Sequence, residues 1–202
     1  MDIQLTALFY LFLRLAPFIL VSYFTLSSVF HTDLKGFVYL IGLLITTIIG
    51  TSLANFMPED WLKLPGDRDF TCDFLDITKN SRITYLPVGS GIITYTLGYL
   101  LYTIVKYGSQ GQNWPTITFL SLLSLMDIVW QWNHSCYQPI SVILTIVIFG
   151  LLGVLWSYLI DETKRVELQY FNSPSGRESC SRPASNTFRC DVYKNGKLIS
   201  TH

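Results

Sequence analysis

The chain alternates between long apolar blocks and short polar connections. Five apolar blocks occupy residues 5–30, 37–57, 88–105, 115–132 and 140–160. At a rise of about 1.5 Å per residue, roughly 20 residues cross the hydrocarbon core of a bilayer. A helix satisfies its own backbone hydrogen bonds, as lipid requires. The pattern therefore predicts an all-α multi-pass membrane protein with about five transmembrane helices, in contact with the lipid bilayer.

The polar C-terminal part has a different pattern. Residues 1–161 form the predicted membrane domain and residues 162–202 a soluble tail. Within the tail, residues 165–170 alternate polar and apolar positions, which favours a strand. Asn195-Gly196 lies between two short β-favouring runs and predicts a hairpin. A lone hairpin is marginal in water. We expect a small β-rich tail that either packs three strands together or docks on another protein.

Composition supports the membrane class and excludes one partner class. Hydrophobic residues make up 50% of the chain and charged residues 14%, against about 25% charged residues in soluble domains. The formal net charge is zero, so no nucleic-acid partner is predicted.

Basic residues predict the orientation of the bundle. With five spans, loops 58–87 and 133–139 share one side, which carries four lysines and arginines. The opposite side carries Lys35, Lys106 and seven basic residues of the tail. Because connections richer in lysine and arginine stay in the cytoplasm, the tail is predicted to face the cytoplasm.

Polar side chains interrupt the fourth apolar block and the loop after it. Asp127, Gln131, His134 and Gln138 follow one another at steps of four, three and four residues. On a continuing helix they would share one face. Two interpretations are open: hydrogen bonds that tie neighbouring helices together, or a small polar pocket that opens to the non-cytoplasmic side.

Arg14 is the other charged residue within an apolar block. Counted from the non-cytoplasmic side, it lies about nine residues deep and Asp127 about five residues deep. The offset is roughly 6 Å at the rise of a helix, which an arginine side chain can reach. An Arg14–Asp127 pair would remove the cost of burying either charge alone, and Arg14 therefore completes the predicted polar cluster.

The four cysteines fall into two pairs by side. Cys72 and Cys136 lie in the two non-cytoplasmic loops, which allows a disulfide between them. Cys180 and Cys190 lie in the tail and could close a small loop, but free thiols are the expectation for a cytoplasmic tail. The Cys-x-x-Cys spacing does not occur, so neither a metal site nor a cofactor is predicted.

The order of loops and helices resembles a known membrane enzyme family. Residues 86–91 read Leu-Pro-Val-Gly-Ser-Gly after a long polar loop, and a loop with His134 follows the next helix on the same face. This order resembles the type-2 phosphatidic acid phosphatase (lipid phosphate phosphatase) superfamily, which carries Lys-x6-Arg-Pro, Pro-Ser-Gly-His and Ser-Arg-x5-His-x3-Asp. Over roughly residues 37–160, the resemblance implies a phosphoenzyme-forming histidine with lysine and arginine holding the phosphate.

Most catalytic positions of that family hold other residues in this chain. Ser90 stands in place of the histidine of Pro-Ser-Gly-His, and Gln138 in place of the carboxylate that orients the nucleophile. Only His134 matches. The positions that differ in residue or spacing are Lys63, Arg68, Asp69, Ser90, Asp127, Ile128 and Gln138. The resemblance therefore implies a scaffold that has lost its phosphatase chemistry, and an active lipid-phosphate phosphatase using His134 is the alternative.

The tail has a second resemblance. Residues 180–183 and 187–196 resemble tails of multi-pass membrane proteins of large double-stranded DNA viruses, whose inner membrane lies beneath a capsid shell. This implies a virion membrane component, such as a minor capsid protein, in the virion inner membrane or a host endomembrane. Its partners would be capsid or other membrane subunits. The residues expected to bind such a partner are Phe188, Val192, Tyr193, Asn195, Gly196 and Leu198.

Three functions remain open. A structural membrane protein explains the folded-looking tail and the missing catalytic residues, and we favour it over an enzyme. A phosphatase would depend on His134. A transporter is disfavoured, because paired broken helices are not apparent. Four glycines of the third and fifth blocks are better explained as close-packing positions between helices; these are Gly91, Gly98, Gly150 and Gly153.

Overall fold

The structure, a computed structural model, describes residues 5–58, 62, 86–165, 168–170, 191–194 and 197–201. The chain divides into two compact units, Met1–Asn172 and Ser173–His202. The first unit therefore continues past residue 161, where the sequence predicted the membrane domain to end.

The first unit contains five helices that follow the predicted apolar blocks. They are α1 (Leu5–His31), α2 (Lys35–Phe56), α3 (Val88–Lys106), α4 (Gln110–Asn133) and α5 (Pro139–Glu162). Four stretches are long and apolar enough to cross a membrane, and they are Leu11–His31, Lys35–Phe56, Val88–Lys106 and Pro139–Glu162. The predicted helical class is confirmed for the described part of the chain, with four of the five predicted spans.

Helix α4 is the predicted span that falls outside these four. It is 24 residues long and begins at Gln110, ahead of the predicted start at residue 115. Its first turn contains Gln110, Gln112 and Asn113, and Asp127 and Gln131 add polar groups to its second half. These side chains lower its mean hydropathy, so within the described residues α4 is not among the four apolar enough to cross.

Contacts between helices fix their relative directions. Gly91 of α3 faces Phe149 of α5, and further along both helices Thr103 Oγ1 lies 3.2 Å from Ser157 Oγ. Residue numbers in α3 and α5 thus increase in the same direction along the contact, so the two helices are parallel. Since short connections join α4 to both, α4 runs antiparallel to them.

The helix termini define two ends of the bundle, called the loop end and the tail end. The loop end is where α2 and α4 finish and α3 and α5 begin, and the tail end is where α3 and α5 finish. Helix α2 runs from the tail end to the loop end, because Trp156 Nε1 donates to Val38 O at 3.1 Å and Phe149 packs against Gly50.

Glycines bring the backbones of α3 and α5 into contact. A Cβ at Gly98 would lie 2.4 Å from the carbonyl oxygen of Gly150, and a Cβ at Gly153 would lie 2.3 Å from the carbonyl oxygen of Tyr95. Only glycine allows such an approach, as is common between membrane helices. The predicted close-packing role of Gly98 and Gly153 is thus visible in the structure, with Gly150 as the surface that Gly98 meets.

A cluster of tyrosines fills the centre of the bundle towards the tail end. The hydroxyl of Tyr39 lies 2.6 Å from Thr96 Oγ1, and the hydroxyl of Tyr95 donates to Tyr39 O at 3.3 Å. The rings of Tyr39 and Tyr99 meet edge to face at 5.6 Å between centroids. Tyrosines can be buried here because their hydroxyls find partners inside the bundle.

After α5 the chain turns back and packs on the bundle. Lys164 adopts a φ of 57°, and the described residues Leu168–Tyr170 (the strap) follow. Gln169 is fully buried, and its Nε2 donates to Ser157 O at 2.6 Å. The hydroxyl of Tyr170 donates to Phe24 O at 2.9 Å. The strand predicted over 165–170 is therefore wrong for residues 168–170, because the burial of Gln169 and the hydrogen bonds of Gln169 and Tyr170 to the bundle decide their conformation.

Two short strands are described in the second unit. Strands β1 (Asp191–Lys194) and β2 (Lys197–Thr201) pair antiparallel, with Lys194 opposite Lys197 and a register shift between Val192 and Tyr193. The predicted turn residues Asn195 and Gly196 lie outside the described residues. A pair of short strands does not establish a β-rich tail, which stays a prediction.

Candidate functional site

A buried polar cluster lies at the loop end of the bundle. Ser90 in the first turn of α3 is 4% exposed, and Asp127 and Gln131 of α4 are 8% and 4% exposed. The hydroxyl of Ser90 donates to Asp127 Oδ2. Gln131 Nε2 lies 2.7 Å from the same carboxylate oxygen and 2.5 Å from Ser90 Oγ. These three residues are called the Ser–Asp–Gln cluster below.

The sequence spacing explains how α4 supplies two members of the cluster. Asp127 and Gln131 are four residues apart and therefore lie on the same face of the helix. That face also carries the buried residues Leu120, Leu123 and Ser124, so it is the face that packs on the rest of the bundle. The predicted grouping of Asp127 with Gln131 is thus realised in the structure.

Arg14 brings a positive charge from α1 to the cluster. Its side chain is partly buried and interacts electrostatically with the Asp127 carboxyl group. A charge of opposite sign offsets part of the cost of removing a carboxylate from water. The predicted association of Arg14 with Asp127 therefore has this electrostatic interaction in its favour.

His134 and Gln138 do not continue the face of α4. The helix ends at Asn133, His134 is its C-cap, and Gln138 is the N-cap of α5 with extended backbone angles. The His134 ring packs on Trp130 with 4.3 Å between centroids. The prediction that all four polar residues share one helical face is therefore wrong for Gln138, because the helix on which it depended stops too early.

Ser90 is the member of the cluster that sequence reasoning missed. The phosphatase resemblance includes it only as a substituted position of a motif. The signal that could have found it is its place in the sequence: a serine at the third position of an apolar helix, at the end of the bundle where α4 carries Asp127. A hydroxyl there must find an acceptor within the bundle.

Cys136 is buried in the loop between α4 and α5 and is disulfide-bonded. The other three cysteines, Cys72, Cys180 and Cys190, lie outside the described residues, so the pairing with Cys72 stays a prediction. Other predicted positions outside the described residues are Lys63, Arg68, Phe188, Asn195 and Gly196. Val192, Tyr193 and Leu198 lie in the two strands.

A second polar group closes the tail end between α3 and α5. Asp161 accepts hydrogen bonds from the hydroxyls of Tyr107 at 2.7 Å and Tyr102 at 3.2 Å, and it lies 3.2 Å from Lys106 Nζ. Burial, together with the neighbouring Asp161 carboxylate, raises the pKa of Tyr107 to about 12. The phenol therefore stays protonated and keeps donating at any physiological pH.

The chemistry available at the Ser–Asp–Gln cluster is limited. Its carboxylate accepts hydrogen bonds from the Ser90 hydroxyl and the Gln131 amide, and all three side chains are buried. Within the described residues, no group of three or more His, Cys, Asp and Glu side chains could hold a metal ion. The geometry is that of a buried hydrogen-bond network between α3 and α4, with the charge of Arg14 on α1 acting on its carboxyl group.

No family model, no curated protein and no solved structure matches the chain.

Proposed function

We propose that the chain is a structural multi-pass membrane protein that anchors a partner-binding tail. The observation that carries this proposal is the interlocking of α3 and α5, in which Gly98 and Gly153 bring backbone against backbone. Such packing favours a rigid anchor over a transporter, whose halves must rock against each other.

The direction of the helices supports a fifth span. Helices α3 and α5 are parallel, so a chain that crosses the bilayer in α3 must return before it can cross again in α5. Helix α4 is the segment that makes this return, and its 24 residues extend about 36 Å at 1.5 Å per residue. A hydrocarbon core is about 30 Å thick, so α4 is long enough to cross.

Labelling from one side of sealed membrane vesicles tests the fifth span. The two sites are Gly111→Cys, near the start of α4, and Asn133→Cys, at its end; both positions are exposed. Cys180 and Cys190 are changed to serine to lower the background. With five spans, an impermeant maleimide reaches only one of the two sites until the membrane is opened. Equal labelling of both sites in sealed vesicles would disprove the crossing of α4.

The tail supports the anchoring part of the proposal. Its sequence resembles tails of multi-pass virion membrane proteins, and its seven basic residues favour the cytoplasmic side. On this basis we propose a component of a virion inner membrane that binds a capsid or membrane subunit through the tail. Crosslinking of full-length protein in its native membrane, with Tyr193→Asp as the comparison, would show whether a specific neighbour is lost.

The phosphatase alternative has a direct test. His134 packs on Trp130 and caps α4, and the structural proposal gives it no role in phosphoryl transfer. Purified protein is expected to release no phosphate from phosphatidic acid above the level of a His134→Ala variant. Hydrolysis that the variant lacks would overturn the structural proposal in favour of an enzyme.

A further inference from the structure

Helices α4 and α5 enclose an open groove at the loop end. Although five residues, 134–138, join them, each helix packs mainly on α3, so their outer sides diverge. The groove has a volume of about 140 Å³. Its lining residues are Ile128, Trp132, Ser135, Tyr137, Pro139, Val142, Ile143 and Ile146.

The lining changes in polarity along the groove. The walls along the two helices are aliphatic, with Ile128 on one side and Ile143 and Ile146 on the other. Ser135 and Tyr137, whose side chains bear hydroxyls, line the groove from the loop that joins the two helices. A ligand that fits this order has a long apolar part and a polar group at one end.

The groove opens onto the surface that faces hydrocarbon. Helix α5 is one of the four helices long and apolar enough to cross a membrane, and on this side Ile143, Val147 and Leu151 are exposed. The exposed ring of Trp132 at the rim suits the level where headgroups begin. The groove is therefore continuous with the lipid-facing surface.

A concave surface holds a chain better than the convex surface of a helix. A hydrocarbon chain in the groove contacts walls on two sides, and each additional close contact adds dispersion attraction. The loop at its end contains the disulfide-bonded Cys136, which restrains the polar end before a ligand arrives. Binding to a preformed site costs less ordering entropy.

We infer that this groove holds one acyl chain of a phospholipid from the leaflet at the loop end. The ester region lies beside Ser135 and Tyr137, and the chain runs along Ile143 and Ile146. The inference rests on the proposed crossing of α4, because both walls must lie in the bilayer.

Lipid retention by the full-length protein tests the inference. The protein is reconstituted in dioleoylphosphatidylcholine vesicles, extracted into detergent, washed extensively and weighed by native mass spectrometry. Ile143→Trp fills the groove, and Leu155→Trp adds the same ring to exposed α5 surface about three turns further along, outside it. The wild type and Leu155→Trp are expected to retain one phospholipid, and Ile143→Trp at least about tenfold less.

Several outcomes would overturn the inference. Loss of lipid from all three proteins would show that no chain is held, and equal retention by all three would show a surface lipid only. If Ile143→Trp unfolds, the milder Ile143→Phe replaces it and is judged by the same comparison. Failure of the proposed function gives a different result. If α4 does not cross, the maleimide labels both ends of α4 in sealed vesicles. A protein that crosses five times but retains no lipid contradicts only the lipid-binding inference.

Discussion

At the scale of single residues, Gly98 has the clearest consequence for stability. A Cβ there would lie 2.4 Å from the carbonyl oxygen of Gly150, which is backbone and cannot rotate away. We expect Gly98→Ala to push α3 from α5 and to lower the free energy of unfolding by about 1–3 kcal/mol. Thermal unfolding in detergent, followed by circular dichroism, measures the change.

Gly111→Ala is the matched control for that substitution. A Cβ at Gly111 would meet nothing within 4 Å, and alanine favours the helix more than glycine does. We expect this variant to unfold at the wild-type temperature or slightly above it. Equal destabilisation by both variants would show that α3 and α5 are not in backbone contact.

The Arg14–Asp127 interaction can be measured by a double-mutant cycle. Asp127→Asn keeps an acceptor for Ser90 and Gln131 but removes the charge on which Arg14 acts. Each single variant, Asp127→Asn or Arg14→Gln, leaves one charge uncompensated, so both should destabilise. The double variant should lose less than the sum, with a coupling of about 0.5–3 kcal/mol. Strict additivity of the unfolding free energies would show that the two charges do not interact.

The polar cluster was partly predictable from sequence at this scale. Helical spacing identified Asp127 and Gln131, because both lie on one helix and the period of that helix is fixed. The same reasoning failed for Gln138, since nothing in the spacing reveals that α4 stops at Asn133. Ser90 was missed because its partners lie in another helix, and a single sequence does not pair helices.

At the scale of elements, the strap makes the next prediction. Gln169 is fully buried and donates to Ser157 O, so Gln169→Ala should leave a cavity and loosen residues 168–170. At about 2 kcal/mol, which is typical for truncating a buried side chain, the strap would open more than tenfold more often. Limited proteolysis of the purified protein should then cut faster after Arg165 or Lys164.

Tyr170→Phe provides the comparison for the strap. It removes the hydrogen bond to Phe24 O but keeps the ring, which packs edge to face on Phe24 at 4.9 Å between centroids. We expect proteolysis close to the wild-type rate. Unchanged cleavage in Gln169→Ala would show that the buried amide does not hold the strap.

Elements that coincide with long apolar blocks were predicted well, and the strap was not. The third block was predicted to begin at residue 88, where α3 begins, because proline and a change in polarity mark that start. The alternating pattern of 165–170 favours a strand when read locally. Its conformation at 168–170 is instead fixed by Ser157 and Phe24, which are distant in sequence, so tertiary packing overrides the local preference.

At the scale of the whole molecule, the number of spans depends on more than hydropathy. The apolar blocks predicted five, and composition alone selects four. The proposed crossing by α4 rests on the parallel packing of α3 and α5, and this packing depends on which glycine meets which backbone. The glycines can be read in the sequence, but their partners cannot, so topology needs the three-dimensional contacts.

The disulfide of Cys136 tests the topology of the whole chain. With five spans, Cys136 and Cys72 lie on the side of the membrane opposite the tail. Among the other three cysteines, only Cys72 can then form a disulfide with Cys136, because the bilayer separates Cys180 and Cys190 from it. We expect peptide mapping without reduction to recover a Cys72–Cys136 pair.

Because a disulfide contributes about 2–4 kcal/mol, reduction of this bond should lower the unfolding temperature by several degrees. A Cys180→Ser, Cys190→Ser variant should keep both the linked peptide and the wild-type temperature. A peptide that joins Cys136 to Cys180 or Cys190 would place the tail and the α4–α5 loop on one side, and would contradict five crossings.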